Sequence, residues 1–389
     1  MFTLLRYNLR SLLVRRATTA ATALGIALVV FVLASALMLS AGVKKTLGAA
    51  GRDDIAIVLR KGSDAEMGSV IEDPQVGLVK AMPGVRRLDN QPIGVGEVVI
   101  VITMEKVGTD GGITNVLVRG TSEESRKLRT NVKIVDGRVP SPGSDEVMVG
   151  RAIIGRLKGL KLGESFELKK NRRVEIVGVF EDGGSAHESE VWADLETVRT
   201  AFGRQGGVSS VRVMLESSSS FERFQTAVEQ DKRLGLSAMR ETTFYEKQSE
   251  GTSLFISVLG SVIAFFFSLG AMIGATITMY ASIANRQREI GTLRALGFGR
   301  LAILAAFLFE AVVLSMLGGA VGTAGALAMG SVEFSMINYA SWSEMVFRFE
   351  PTGNILATSL VFALGMGLLG GFLPAVRAAR VSPLAALRG

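Results

Sequence analysis

Four long apolar segments, about residues 17–41, 252–283, 301–330 and 353–373, constrain this chain more than any other feature. Each has about 20 or more residues, enough for one helix to cross a hydrocarbon core of roughly 30 Å. Inside such a core every backbone N–H and C=O must find a partner within its own segment, so these stretches are expected to be helical. The remaining long stretch, 42–250, has the mixed polar and apolar texture of a folded domain. The expected fold class is therefore a membrane protein with four transmembrane α-helices and a large mixed α/β extracytoplasmic domain between helices 1 and 2. A soluble globular enzyme is excluded. With no cysteine, disulfides and thiolate chemistry are excluded too, and a single histidine, His187, argues against a histidine-built metal site.

Charge orients the segments. The chain carries a net +7, but the excess is local. Residues 1–16 hold Arg6, Arg10, Arg15 and Arg16 with no acid. Residues 284–300 hold Arg286, Arg288, Arg294 and Arg300 against Glu289, and residues 374–389 hold Arg377, Arg380 and Arg388 with no acid. Short basic loops stay on the cytoplasmic side. Both termini and 284–300 are thus expected inside the cytoplasmic membrane, with the neutral 42–250 domain and the acidic 331–352 loop outside. The basic excess reports topology in the lipid bilayer and gives no separate support to a nucleic-acid partner. Residues 1–16 place Phe2, Leu5, Leu9 and Leu12 on one helical face, which suits an interfacial helix or simply the inner end of the first span. The apolar run 17–41 is much longer than a signal h-region, so it reads as an uncleaved anchor.

Within 42–250, β-branched runs punctuated by glycine predict strands at Ile55–Leu59, Val95–Met104, Thr114–Arg119, Glu146–Val149, Ser165–Lys169, Arg173–Phe180 and Ser209–Leu215. Helices are predicted at Asp73–Ala81, Gly150–Leu157, Asp194–Phe202 and Ser220–Lys232, the last capped by Ser219 or Ser220. The stretch Glu181–Glu190 carries Glu181, Asp182, His187, Glu188 and Glu190. Its spacing matches neither an EF-hand nor a zinc signature, so it reads as a solvated acidic loop and no metal is expected. Phe244 and Tyr245, just before the second span, are expected at the membrane interface.

Glycines recur four apart in the last three spans, as Gly270 and Gly274, Gly318 and Gly322, and Gly367 and Gly371, a spacing that lets helix backbones approach closely. Glu310 is the one ionisable residue inside a span; a hydrogen bond to a neighbouring helix is its expected role, with proton coupling the alternative. Between the second and third spans lies Asn285-Arg-Gln-Arg-Glu-Ile-Gly-Thr-Leu-Arg-Ala-Leu-Gly297. Ile290, Leu293 and Leu296 with Gly297 form a narrow apolar stripe at helical spacing. Arg286 and Glu289 are placed to pair, and Arg288 points off the stripe. Such a helix can press into a partner's groove; composition alone fits a plain basic loop as well.

This stretch resembles the signature loop of the MacB/FtsX/LolC superfamily of type VII ABC transporter permeases. The tail Pro374-Ala-Val-Arg-Ala-Ala-Arg-Val-Ser-Pro-Leu-Ala-Ala-Leu-Arg388 resembles the same family's cytoplasmic end, with Pro374 expected to stop the last helix. So do Thr22–Ala27 in the first span, Phe307–Ser315 followed by Gly318-Gly319 in the third, and Arg60–Met67, Met82–Val85 and Val174–Phe180 in the domain. The resemblance implies that residues 284–300 are a coupling helix that docks on an ATPase, with Arg286, Arg288, Glu289, Ile290, Gly291, Leu293, Arg294, Leu296 and Gly297 as its coupling residues. It implies a porter-like lobe and an inserted β-rich lobe in the domain. No Gly-x-x-x-x-Gly-Lys-Ser/Thr occurs, so the chain is expected to be a non-catalytic, stand-alone permease nearest the MacB/DevC-like branch, with no cofactor of its own. ATP and Mg then sit on two copies of a separate ATPase. A second permease subunit forming a homodimer, a membrane-fusion adaptor and a TolC-like outer-membrane protein are the other implied partners. The implied function is mechanotransmission that drives export of a hydrophobic compound, peptide or lipid. Lipoprotein release, regulation of a cell-wall hydrolase and an ATPase-independent receptor remain alternatives.

Overall fold

The computed structural model describes residues 16–382; the amphipathic stretch before Arg16 and the last residues of the tail lie outside them. It divides into two compact units. Of the described residues, one contains 16–41, 254–332 and 349–382, the other 42–253 and 333–348.

The helical unit is built from four helices long and apolar enough to cross a membrane. They are α1 (Arg16–Gly48), α5 (Glu241–Asn285), α7 (Arg300–Ala328) and α8 (Gly353–Ala379), with a short helix α6 (Gln287–Ala295) between α5 and α7. Small residues set the contacts. A Cβ on Gly318 would lie 2.6 Å from the Ala23 carbonyl oxygen, and one on Gly322 would strike the Ala27 carbonyl, so α7 lies directly against α1. Gly367 and Gly371 meet Ser315 and Ala311, which seats α8 on α7. Gly270 and Gly274 meet nothing within 4 Å, and much of that face of α5, including Phe266, Ile273 and Ile277, is exposed.

Pro374 does not end the last helix, which runs on to Ala379. A proline in a helix leaves the carbonyl four residues earlier without its N–H partner. That carbonyl, Gly370 O, accepts the Thr276 hydroxyl of α5 at 2.8 Å instead, and the helix continues.

The second unit is organised by one mixed sheet. In chain order its strands are β1 (Ile55–Arg60), β2 (Gly94–Glu105), β3 (Ile113–Thr121), β4 (Lys133–Gly137), β5 (Glu146–Gly150), β6 (Ser165–Lys169), β7 (Arg172–Glu181), β8 (Glu190–Asp194), β9 (Ser210–Met214) and β10 (Leu236–Arg240). Their spatial order is β10-β1-β9-β2-β3-β8-β5-β7-β4, with β6 beside β7. β3–β8 and β5–β7 are parallel, and the other pairs are antiparallel. The long strand β2 changes partner midway: Gly94–Glu97 pair with β9 and Val98–Glu105 with β3. Helices α2 (Asp73–Lys80), α3 (Leu195–Phe202) and α4 (Phe221–Gln230) complete the core through Val79, Val198, Phe224 and Val228.

The seven predicted strands fall where the β-branched runs placed them, to within a residue or two at each end; β4, β8 and β10 have no counterpart among them. Gly150–Leu157 is not a helix; only Arg151–Ile153 forms a 3₁₀ turn, because Ile153 and Leu157 are drawn separately into the core. Ser220 stands at the N-cap of α4 without a side-chain capping bond. The 331–352 stretch is no plain loop: Glu333–Asn338 (β11) and Ser343–Arg348 (β12) form a hairpin. It belongs to the sheet unit, where Ser189 Oγ accepts from Val346 N at 3.0 Å and Lys106 pairs with Glu344 at 2.7 Å.

Candidate functional site

Helix α6 follows directly on α5 and ends at Ala295; two residues on, Gly297, with a φ of +98°, turns the chain toward α7 at low cost because it has no Cβ. The helix has an inward and an outward half. Ile290 is 1% exposed, packed with Met279 and Ile283 of α5, Ile303, Phe307 and Ala311 of α7, and Ala375 and Ala378 of α8, with Leu293 against the same cluster. Gly291 is buried, and Arg294 Nη1 donates to the Ala379 carbonyl at 2.7 Å. The apolar stripe of 290 and 293 therefore turns into the chain's own bundle. Outward lie Arg288, Glu289, Gly297 and Leu296, the last 73% exposed.

Arg286, at the start of α6, is buried. It pairs with Glu289 at 3.3 Å and with Glu310 of α7 at 3.3 Å, and its guanidinium lies over the Phe307 ring at 5.3 Å. Glu310 is thus tied to the root of the connecting helix, and both charges are engaged in the low-dielectric bundle, where an unpaired one would be costly.

A second constellation, in the sheet unit, was not visible in the sequence. Glu97 sits where β2 changes partner and is fully buried. It accepts from Arg129 at 2.6 and 2.8 Å, Arg212 at 2.7 Å, Arg119 at 3.1 Å and the Thr121 hydroxyl at 2.9 Å. Glu66 accepts from Arg119 and Arg212, and Glu190 takes both arms of Arg119 at 2.8 and 2.7 Å. Burial alone would raise these carboxyl pKa values, but the arginines outweigh it. Arg129, Arg212 and Arg119 hold Glu97 well below the carboxylate range; Arg119 and Arg212 lower Glu66, and Arg119 lowers Glu190. Single charged residues inside apolar strands, as in Val-Leu-Val-Arg119 and Ser-Val-Arg212-Val, were the available signal.

His187 is not in a solvated loop. It is 1% exposed; Nδ1 bonds Asp182 Oδ2 at 2.7 Å and Nε2 bonds the Tyr245 hydroxyl at 3.0 Å. Burial opposes ionisation of Asp182, yet its bonds from His187 and Ser185 leave its pKa lowered. Ser185 Oγ donates to Asp182 rather than to the imidazole, so no nucleophile–base pair exists here. Among the described residues no group of three or more His, Asp or Glu side chains is arranged to hold a metal. Tyr245 and Phe244 are 3% and 2% exposed, inside the sheet unit and not in an aromatic belt. The tyrosine's hydrogen-bonding role outweighed its amphipathic one.

The FtsX-like permease C-terminal family model matches residues 261–383, and the MacB-like periplasmic core domain model matches residues 18–231. The macrolide export ATP-binding/permease protein MacB of Bdellovibrio bacteriovorus is 26% identical over 394 residues, covering 94% of this chain and 58% of that protein. The ABC transporter permease YknZ of Bacillus subtilis is 29% identical over 224 residues, covering 55% of this chain and 54% of the relative. The chain thus spans rather more than half the length of these relatives. The solved extracellular domain of YknZ from Gram-positive bacteria aligns in full with 48% of this chain, at 17% identity and a TM-score of 0.36. With one family model over more than half of its length and the other over its helical remainder, the chain belongs to the MacB/FtsX-like family of type VII ABC transporter permeases.

Proposed function

We propose that the chain is the permease subunit of an ABC transporter that binds a separate ATPase through the outward half of α6 and transmits its ATP-driven closure to the sheet unit. The observation that carries this reading is the two-sidedness of α6. Ile290, Leu293, Arg286 and Arg294 fix it to all three neighbouring spans, while Arg288, Glu289 and Leu296 stay exposed at its surface. A helix so held moves its spans when pushed. An exposed leucine at the end of a helix that also exposes charged side chains is suited to the groove of a protein partner. With α6 on the cytoplasmic side, as its arginines demand, the sheet unit lies outside, in the periplasm of a double-membrane cell. Two copies of the ATPase hold ATP and Mg, and two permeases pair as a homodimer. Export of a hydrophobic compound, peptide or lipid, through a periplasmic adaptor and outer-membrane duct, is the work performed.

The test is co-expression with the ATP-binding protein encoded beside it, measuring complex formation and ATP turnover. Leu296→Asp and Arg288→Glu are expected to weaken binding at least tenfold without lowering the permease's melting temperature, because neither side chain is buried. Ile290→Asp is expected to unfold the bundle locally and is not informative about docking. Unchanged ATPase binding in both outward variants sinks the reading.

A further inference from the structure

We propose that Glu241, Arg212 and Tyr245 form the joint through which movement of α5 reaches the sheet, so that they are positioning residues for coupling. The inference rests on the permease reading above and names the part of the sheet unit that takes the load.

The geometry is one of convergence. The chain leaves α1 at Gly48 and enters α5 at Glu241, and these two passages are pinned to each other. A Cβ on Gly51 would lie 2.9 Å from the Thr242 Cα, Arg52 N donates to Glu241 Oε2 at 3.3 Å, and the Thr242 hydroxyl donates to Asp53 at 2.9 Å. Glu241 Oε1 then accepts Arg212 Nε at 2.8 Å. The same guanidinium donates to Glu66 and Glu97, both at 2.7 Å, and to the Tyr245 hydroxyl at 3.4 Å. Tyr245, one helical turn after Glu241, continues to His187. The loop carrying His187 also carries Ser189, which accepts from Val346 of the β11–β12 hairpin. Within the sheet unit, the entry from α1 and the first turn of α5 therefore meet on one hydrogen-bonded network.

Two physical points give this network a mechanical role. A guanidinium is planar and rigid, and this one has all three nitrogens engaged, so it has no alternative rotamer that keeps its partners. Moving the first turn of α5 by about 1 Å stretches a 2.8 Å bond beyond hydrogen-bonding range, leaving buried charge unpaired unless Arg212 moves too. Arg212 cannot move alone, because Glu97 and Glu66 hold it to β2 and to the segment before α2. Apolar side chains would fill the same space without the desolvation cost, but they would let α5 slide.

The experiment uses the full chain with its ATPase in lipid nanodiscs. Hydrogen exchange of peptides spanning 94–105 and 206–215 is compared with and without a non-hydrolysable ATP analogue. For the wild type, nucleotide is expected to change exchange in both peptides at least twofold. Glu241→Gln and Tyr245→Phe are expected to abolish that change while ATPase binding and basal turnover stay within twofold of wild type. Tyr245→Phe removes a single oxygen, so it decides the matter if Glu241→Gln lowers the melting temperature. Variants that keep the full nucleotide response, with or without a lower melting temperature, overturn the joint and leave a purely structural network. A wild type that binds ATPase but shows no response also overturns it. Failure to bind any ATPase instead removes the permease reading beneath it.

Discussion

Replacing Glu97 with glutamine isolates the energetics of the buried network. Glu97 serves three guanidinium groups, but they depend on it unequally. Arg212 keeps Glu66 and Glu241, and Arg119 keeps Glu190 and Glu66, whereas among the described residues Arg129 has its ion pair with Glu97 alone. The variant therefore leaves one buried guanidinium uncompensated, a loss of about 3–5 kcal/mol. Glutamine keeps an acceptor oxygen, which favours the lower end, about 3 kcal/mol. For a folding unit of this size each kcal/mol lowers the melting temperature by roughly 2–4 °C, so a fall of about 6–12 °C is expected. Trp192 reports it: the indole is buried, Arg129 lies over its ring at 5.1 Å, and its Nε1 donates to Glu190. Scanning fluorimetry of the full chain in detergent follows that signal. A double variant, Glu97→Gln with Arg129→Met, is expected to recover at least half of the loss, since it removes the unpaired charge. A fall of less than about 2 °C in the single variant, or no recovery in the double, refutes the reasoning.

Other consequences follow from the same geometry. Because Glu66, Glu97, Glu190 and Asp182 are all depressed in the folded state, their contribution is fully present above the ordinary carboxylate range and is lost as pH falls through it toward their folded values. The Trp192 transition should accordingly hold steady from about pH 7 to 5 and drop steeply below about pH 4; a flat profile to pH 3 contradicts the shifts. In the helical unit, Gly318→Ala sets a methyl 2.6 Å from a carbonyl of α1 and should cost about 1–3 kcal/mol. Gly270→Ala meets open space and should leave the protomer's melting unchanged, so any loss of pairing in that variant, read by crosslinking, locates a second subunit there.

The sequence by itself determined the four helices and seven of the ten strands of the main sheet, because both follow from local periodicity and from the lengths of apolar runs. It also carried the family, through ordered motifs at 285–297 and 374–388 that need no folding to be read. It could not say which way a periodic face points. Ile290, Leu293 and Leu296 obey one spacing, yet the first two are taken into the bundle and the third is left outside. Gly270 and Gly318 stand in the same four-residue pattern, and only Gly318 has a helix against it. Tyr245 reads as an interfacial aromatic until Arg212 and His187 are brought to its hydroxyl. Pro374 reads as a stop until Thr276 supplies a partner for the carbonyl it frees. The buried network is the extreme case, since its arginines and glutamates are scattered from Glu66 to Glu241. A lone charge inside an apolar strand, as at Arg119 and Arg212, hints at burial, but a one-dimensional pattern does not say which partners it meets. Its burial depends on which partners the sheet brings within about 3 Å and on the water it excludes around them, and both are properties of the tertiary fold.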